Sequence, residues 1–354
     1  MTETRTSRRR FLHTGATAAA ASLAFPYVVT RSRAASKNEL VFVGFGGTYQ
    51  DGQTKAYFEP FERETGIKVI QTTGVDLAKL KAQVQSKNVE WDLVPLPNRL
   101  LYTAVRDDLL TSIDRGIVNT TDVVPELVTQ FAVGHIIVAM VLSFSTRAYP
   151  SGQQPQSWFD FWNKNFPGSR GMYNFPVITT EFALIADGVP MDKLYPLDVA
   201  RAFKSFDRIK PEIKVWWSQF PQPGLLLKSG EITMTPWTRT ISEMVAGEPF
   251  GFTYNGSCIY YEAWTVAKGA PHADNAMKFI NYALQANRQA DLVKYAGPAF
   301  APTNRNALSL IEPKLRPLLA SNPDNMNKGF LLNGEWWGPN LERVQEQWNE
   351  WRLK

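Results

Sequence analysis

Residues 40–69, LVFVGFGGTYQDGQTKAYFEPFERETGIKV, constrain the fold of this chain more than any other stretch. Residues 40–43 are a short apolar run with β-branched content, the pattern of a buried strand. Gly44, Gly46 and Gly47 interrupt it, and glycine there lets backbone N–H groups come close to a bound group. Thr48 is placed to cap a helix, with Asp51 near its positive end. Over 53–65 the pattern turns helical, with Ala56, Tyr57, Phe58 and Phe61 giving i, i+3, i+4 spacings on one face. Gly66 stops that helix and Ile67 opens the next strand. The result is a βαβ unit whose Gly-rich turn stands where open α/β sheets bind ligands, at the carboxyl end of a strand. The turn GFGGTY is neither GxGxxG nor a phosphate loop, so it names no ligand by itself.

Residues 1–34 read as a targeting segment rather than part of the fold. Ser7-Arg8-Arg9-Arg10-Phe11-Leu12 fits the twin-arginine pattern, and an alanine-rich, weakly apolar stretch follows over 16–29. Ser32-Arg33-Ala34 then offers small residues at the positions a signal peptidase reads. The apolar stretch is too short and polar to span a bilayer, and no lipobox cysteine is present, so soluble export to the periplasm is expected. This segment also explains the charge. The whole chain carries +5, from 38 basic and 33 acidic residues. Six of the basic residues and one acidic residue lie in 1–34, which leaves 32 of each and a net charge of zero. The basic balance therefore gives no support for nucleic-acid binding.

The remaining length suggests roughly two domains. Cys258 is the only cysteine, so no internal disulfide can form, and it reads as a small buried apolar residue. His135 and His272 are not joined by spacing to a third ligand, which leaves little material for a catalytic zinc or a Ser-His-Asp triad. No cofactor or metal is expected.

Along the chain, 77–84 reads as a helix and 91–95 as a buried strand followed by Pro97, Asn98 and Arg99. Arg99 reads as a solvated loop charge rather than a ligand contact. Residues 136–144 are a near-continuous apolar strand, with a Pro/Gly-bearing link after it and a hinge expected near 143–147. Residues 179–184 open a helix with Thr179 or Thr180 as cap, and 197–209 is an amphipathic helix. A strand ends at Trp237, with 238–240 starting a helix, and 341–351 closes the chain as an amphipathic helix.

Several segments resemble the extracellular solute-binding proteins of ABC importers, in the branch that includes the spermidine/putrescine binders. They are FERETGIKV at 61–69, WDLV at 91–94 with LLTSID at 109–114, SWFDFW at 157–162, LLKSGEITM at 226–234, AMKFINY at 276–282 and the Asn333-Gly334-Glu335-Trp336-Trp337 loop. The resemblance spans nearly all of 38–354. It implies an α/β, two-lobed periplasmic-binding-protein type II fold with a hinge and an interlobe cleft. Lobe one would comprise 35–145 and 259–305, lobe two 146–258, and 306–354 would be C-terminal helices packing across the lobes.

The resemblance also implies site residues. Trp237 stands where an aromatic contacts the ligand, and a Trp face attracts an ammonium by about 0.5–2 kcal/mol. Glu181 falls where polyamine binders carry an acid that reaches an amine, or is simply an acid favourable in a helix's first turn. Tyr261 matches a second aromatic position, and Tyr49 joins these two. Ala263 stands where the family's aspartate would be, with Glu262 adjacent but facing the other way on a regular strand. Arg239 stands where amine binders tend not to have arginine, and a guanidinium there would pair with a carboxylate. Tyr295 and Phe300 lie on a loop that lines the family's cleft.

The expected activity is capture of a small amine-bearing solute, with a polyamine such as putrescine or spermidine as the family default. A zwitterionic amino-carboxylate such as 4-aminobutyrate fits as well, and paired Tyr260-Tyr261 raises a ferric-iron alternative. The implied partners are the small-molecule ligand, a permease and ATPase complex at the inner membrane, and the twin-arginine translocase during export. The protein would be a monomer with no nucleic-acid partner. The rival classes are an exported enzyme, which lacks visible nucleophile–base pairs, and a feeder for a membrane sensor.

Overall fold

The structure is a computed structural model that describes residues 37–354, so the expected signal at 1–34 lies outside the described residues. Strand β1 (Glu39–Gly44) pairs in parallel with β2 (Lys68–Thr73), Leu40 opposite Val69. One continuous helix joins them: α1 (Gly47–Gln53), a π-helical turn (Thr54–Phe58) and α2 (Glu59–Thr65). It begins six residues before the apolar pattern does, because Gly46 and Gly47, at φ 75° and 64°, turn the chain directly into it. Thr48 does not cap it; the Gln50 side chain reaches back to accept the Gly46 N–H at 2.9 Å. Gly66, left-handed at φ 71°, ends it as expected.

The chain continues through α3 (Leu77–Gln85), capped by Asp76, then β3 (Leu93–Pro97), α4 (Asn98–Arg106) and the short β4 (Leu110–Thr111). Strand β5 (Val133–Ser145) is buried at every position. The second lobe holds α5 (Trp158–Trp162), opened by a Ser157/Asp160 capping box, β6 (Arg170–Tyr173), α6 (Pro176–Ala186) and α7 (Val199–Ile209). It closes with β7 (Ile213–Trp217), α8 (Gln222–Ser229), β8 (Met234–Trp237) and α9 (Thr240–Val245). Neither Thr179 nor Thr180 caps α6. Its first turn starts at Pro176 and is broken at Ile178 (φ 77°), and both threonine hydroxyls bond back to carbonyls of Phe175 and Pro176.

Strand β9 (Phe250–Ala267) then runs the length of the molecule, followed by α10 (Ala273–Ala283), α11 (Ala286–Ala296) and β10 (Ala301–Pro302). The end of the chain supplies α12 (Pro323–Met326), β11 (Phe330–Leu331) and α13 (Gly334–Leu353).

The sheet order is β2-β1-β3-β9-β5-β8-β6-β7. The two long antiparallel strands β5 and β9 are common to both lobes. Their first and last halves differ in partner: β9 from Glu262 to Val266 pairs with β3, whereas β5 from Val141 to Phe144 pairs with β8. Lobe-two pairing thus starts at Val141, ahead of the segment expected as the hinge. Beside it the ladder is irregular, since Met140 faces Cys258 but Leu142 faces Thr253. The displaced residues include Gly256 (φ 71°), whose missing side chain makes room for Trp158; a Cβ there would lie 2.8 Å from Trp158 Cδ1. The C-terminal segment makes a further link. β11 pairs with Cys258 and Ile259 of β9, and α13 packs on both α4 and α6. Its Trp348 and Trp351 meet Phe203, Phe206 and Trp216, and aromatic pairs of this kind add about 0.5–1.5 kcal/mol each beyond area burial. The fold is therefore mixed α/β and two-lobed. Among the described residues, no helix is long and apolar enough to cross a membrane.

Candidate ligand site

Alternation along β9 decides what can meet what. Cys258, Tyr260, Glu262 and Trp264 share one face of the strand, and Tyr261 and Ala263 share the other. Glu262 lies opposite Pro97, the last residue of β3, and opposite Ile136 of β5. It therefore sits at the carboxyl end of one strand and beside the Gly-rich turn after β1, the position where an open α/β sheet takes a ligand.

Tyr49, from α1, donates its hydroxyl to Glu262 Oε2 at 3.3 Å while its ring stacks on Phe300 with centroids 4.2 Å apart. Burial raises the Glu262 carboxyl to about 7, opposed by the Tyr49 bond and the nearby charge of Arg99. His135 Nε2 is 3.9 Å from the same carboxylate oxygen. Burial drives His135 down to about 3, so the imidazole is neutral and the contact is no ion pair. The Arg99 guanidinium acts on Glu262, on Tyr260, and on Tyr173 at the end of lobe-two strand β6. Arg99 is half-buried and has no hydrogen-bond or ion-pair partner among the described residues. Tyr173 in turn belongs to an aromatic group with Phe175, Trp217 and Phe220. A carboxylate, an unpaired guanidinium and several aromatics are thus gathered where the lobes meet.

The residues singled out from the sequence are divided by the structure. Tyr49 and Glu262 are in contact. Arg239 bridges the lobes by donating from Nη2 to Thr48 Oγ1 at 3.0 Å, with Glu243 at 3.9 Å. Tyr261 faces the opposite side of β9, buried with Leu101, Ile241 and Ile259. Trp237 is 2 % exposed and packs with Leu227, Ile232 and Phe250, its Nε1 donating to the Phe220 carbonyl at 2.7 Å. Gly224 makes room for that indole, since a Cβ there would lie 2.7 Å from its ring. Glu181 is fully buried. Its Oε1 accepts from Tyr195 Oη at 2.7 Å and Trp337 Nε1 at 2.6 Å, under the start of α13.

Two sequence-based expectations change. The carboxylate sought at position 263 has a counterpart one residue earlier, because Glu262, not Ala263, faces Tyr49. Tyr260 and Tyr261 lie on opposite faces of β9 and cannot share one ferric ion. Arg99, read as a solvated charge, and Tyr173 are the residues that sequence reasoning passed over. The position of Arg99 directly after a buried strand was the available signal.

Comparison with known proteins identifies the family. Residues 56–323 match the family model described as bacterial extracellular solute-binding protein. The gamma-aminobutyric acid-binding protein of Pseudomonas aeruginosa is 30% identical over 331 residues, covering 90% of this chain and 92% of that protein. Among solved structures, the binding protein AgtB of A. tumefaciens R10 in complex with agropinic acid is 35% identical, with a TM-score of 0.78, covering 90% of this chain and 100% of that one. A solved GABA receptor is 33% identical, with a TM-score of 0.82, covering 89% and 98%. The chain belongs to the bacterial extracellular solute-binding proteins. Members of this family that serve ABC importers bind a small-molecule ligand and work with a permease and an ATPase.

Proposed function

We propose that this protein captures a small zwitterion, an amino acid whose ammonium and carboxylate groups are separated, of which GABA is the simplest probe. The observation that carries the reading is Arg99, which has no partner among the described residues and whose charge acts on Glu262 at the meeting of the lobes. A guanidinium left without a partner in a half-buried place favours an incoming carboxylate, with bidentate geometry available to it. Glu262 and Tyr49 supply the acceptor for the ammonium, and Tyr260 and Tyr173 supply aromatic faces. The ligand named for two relatives, gamma-aminobutyric acid, supports the same class. Ligand contacts to both lobes would favour the closed form, with movement at the β5/β9 crossing. The protein would act as a periplasmic monomer after twin-arginine export and deliver its cargo to the permease.

A polyamine is the second reading, and one observation favours it. Glu181 is a second buried carboxylate on the same side of β9, and its charge reaches Cys258, four residues before Glu262. Four strand residues span about 13 Å, a length suited to two separated ammonium groups. Arg99→Ala separates the readings. Titration calorimetry should show GABA affinity falling by about 100-fold or more, as expected for a lost charge pair, with putrescine unaffected or improved. Unchanged GABA affinity in Arg99→Ala would reject the zwitterion reading.

A further inference from the structure

Behind Glu262, on the lobe-one side, lies a set of polar side chains that the ligand reading does not use. Gln53 is 1% exposed, and Tyr57, His135 and Trp264 are fully buried. Among the described residues, Gln53 Nε2 and Oε1, Tyr57 Oη, His135 Nδ1 and Nε2, and Trp264 Nε1 have no hydrogen-bond partner. These groups are neighbours. The His135 ring stacks on Trp264 with centroids 3.8 Å apart, and Tyr57 meets Trp264 edge-on at 6.4 Å. Gln53 is one helical turn from both Tyr49 and Tyr57, where the helix widens into its π turn, a feature often found at functional sites. The group adjoins Glu262 through His135 Nε2 and through Tyr49 Oη, which reach the same carboxylate oxygen.

Buried polar groups are nearly always paired, and where protein partners are lacking the partner is ordered water. The chemistry of the set suits water. Trp264 can only donate, Gln53 and Tyr57 can do both, and neutral His135 has one nitrogen of each kind. A cation finds no ligand set here, since no group of three or more His, Cys, Asp or Glu stands ready for a metal among the described residues.

We propose that Gln53, Tyr57, His135 and Trp264 hold a small internal water cluster that solvates the Glu262 carboxylate from behind. They are then positioning residues: they keep Glu262 ionised so that it can hold the ligand's ammonium group. Only that last role rests on the zwitterion reading; the cluster itself does not need a ligand. The groups facing Glu262 are Tyr49 from α1, His135 from β5, Arg99 from the start of α4, and Tyr260 from β9, while Asp291 of α11 acts on Tyr57. Water favours the charged carboxylate, so deleting its anchors pushes the Glu262 carboxyl further up.

The test combines a high-resolution crystal structure with carbon NMR titration of the Glu262 carboxyl in the unliganded protein, assigned with Glu262→Gln. Waters bonded to Gln53 and Tyr57 are expected. Tyr57→Phe and Gln53→Leu should each raise the titration midpoint by about one unit. Tyr57→Phe, a one-atom deletion, carries the test if Gln53→Leu fails to fold. A dry site, or a hydrated site whose midpoint the folded variants leave unmoved, overturns the proposal. The zwitterion reading fails separately, if Glu262→Gln keeps wild-type GABA affinity.

Discussion

Glu181 and Glu262 are both buried, and burial raises both carboxyls to about 7, yet they are differently provided for. Glu181 has two short protein donors, Tyr195 and Trp337, and Tyr195 also accepts the Asn333 N–H at 3.1 Å. The cap of α13, its first-turn tryptophan and lobe two are thereby tied together. Glu262 has one long bond from Tyr49, a neutral histidine, and an unpaired arginine close by. A shifted pKa therefore does not mark a binding residue on its own. Glu181 Oε2 also lacks a partner among the described residues, so the marker is position: Glu181 is sealed under α13, whereas Glu262 lies where the lobes meet, beside the charge of Arg99.

Four predictions press on that contrast, from the largest effect to the smallest. Glu262→Gln should abolish binding of every amine ligand in calorimetry while changing the melting temperature little. A variant that binds normally would place the ammonium elsewhere. Glu181→Gln should show the opposite pattern, visible in stability against pH. Its carboxyl is raised from 4.5 to about 7 by burial first, so the folded state holds its proton more tightly than the unfolded state does. That contribution is fully present below the unfolded value and is lost as pH rises from about 4.5 through about 7, by about 3 kcal/mol. Thermal melts of the wild type should fall across that window, and those of Glu181→Gln should fall less. Equal slopes would mean that Glu181 is not the group responsible.

Trp237→Phe removes the donor to the Phe220 carbonyl inside a packed cluster. Denaturant unfolding should show a loss of about 1–3 kcal/mol, with ligand affinity kept. If affinity falls with stability unchanged, the indole contacts ligand after all. Arg239→Ala should have the smallest effect. Its bond to Thr48 is exposed, so affinity should change by only a few-fold, with a faster off-rate in stopped-flow measurements. A large loss would make Arg239, not Arg99, the carboxylate partner.

Much of the fold was legible because it rests on periodicity and on turn chemistry. The β1–β2 unit, the left-handed Gly66 stop and the buried strand β5 follow from apolar spacing and glycine placement. The start of α1 was not legible, because a long-range side-chain bond from Gln50, not a local cap, fixes it. The site was legible in its residue types more than in its geometry. Glu262 and Tyr49 are 213 residues apart in the chain, and only the folded chain shows that they meet. Trp237 and Glu181 were attractive by position, yet their environment is set by Gly224, Phe250 and the tryptophans of α13, which pack from distant parts of the chain. Arg99 was underrated because a charge in a loop is usually solvated, and nothing local reveals that lobe two comes down beside it.

The most direct test of the central claim is a calorimetric comparison of GABA with putrescine on the purified protein stripped of carried ligand. The two share a four-carbon length and one ammonium, and differ in whether the other end is a carboxylate or a second amine. Pairing of Arg99 with the acid predicts that GABA binds at least about 100-fold more tightly, a difference of about 2.7 kcal/mol. Putrescine binding as tightly as GABA, or more so, would contradict the account and return the two carboxylates, Glu262 and Glu181, to the two ends of a polyamine.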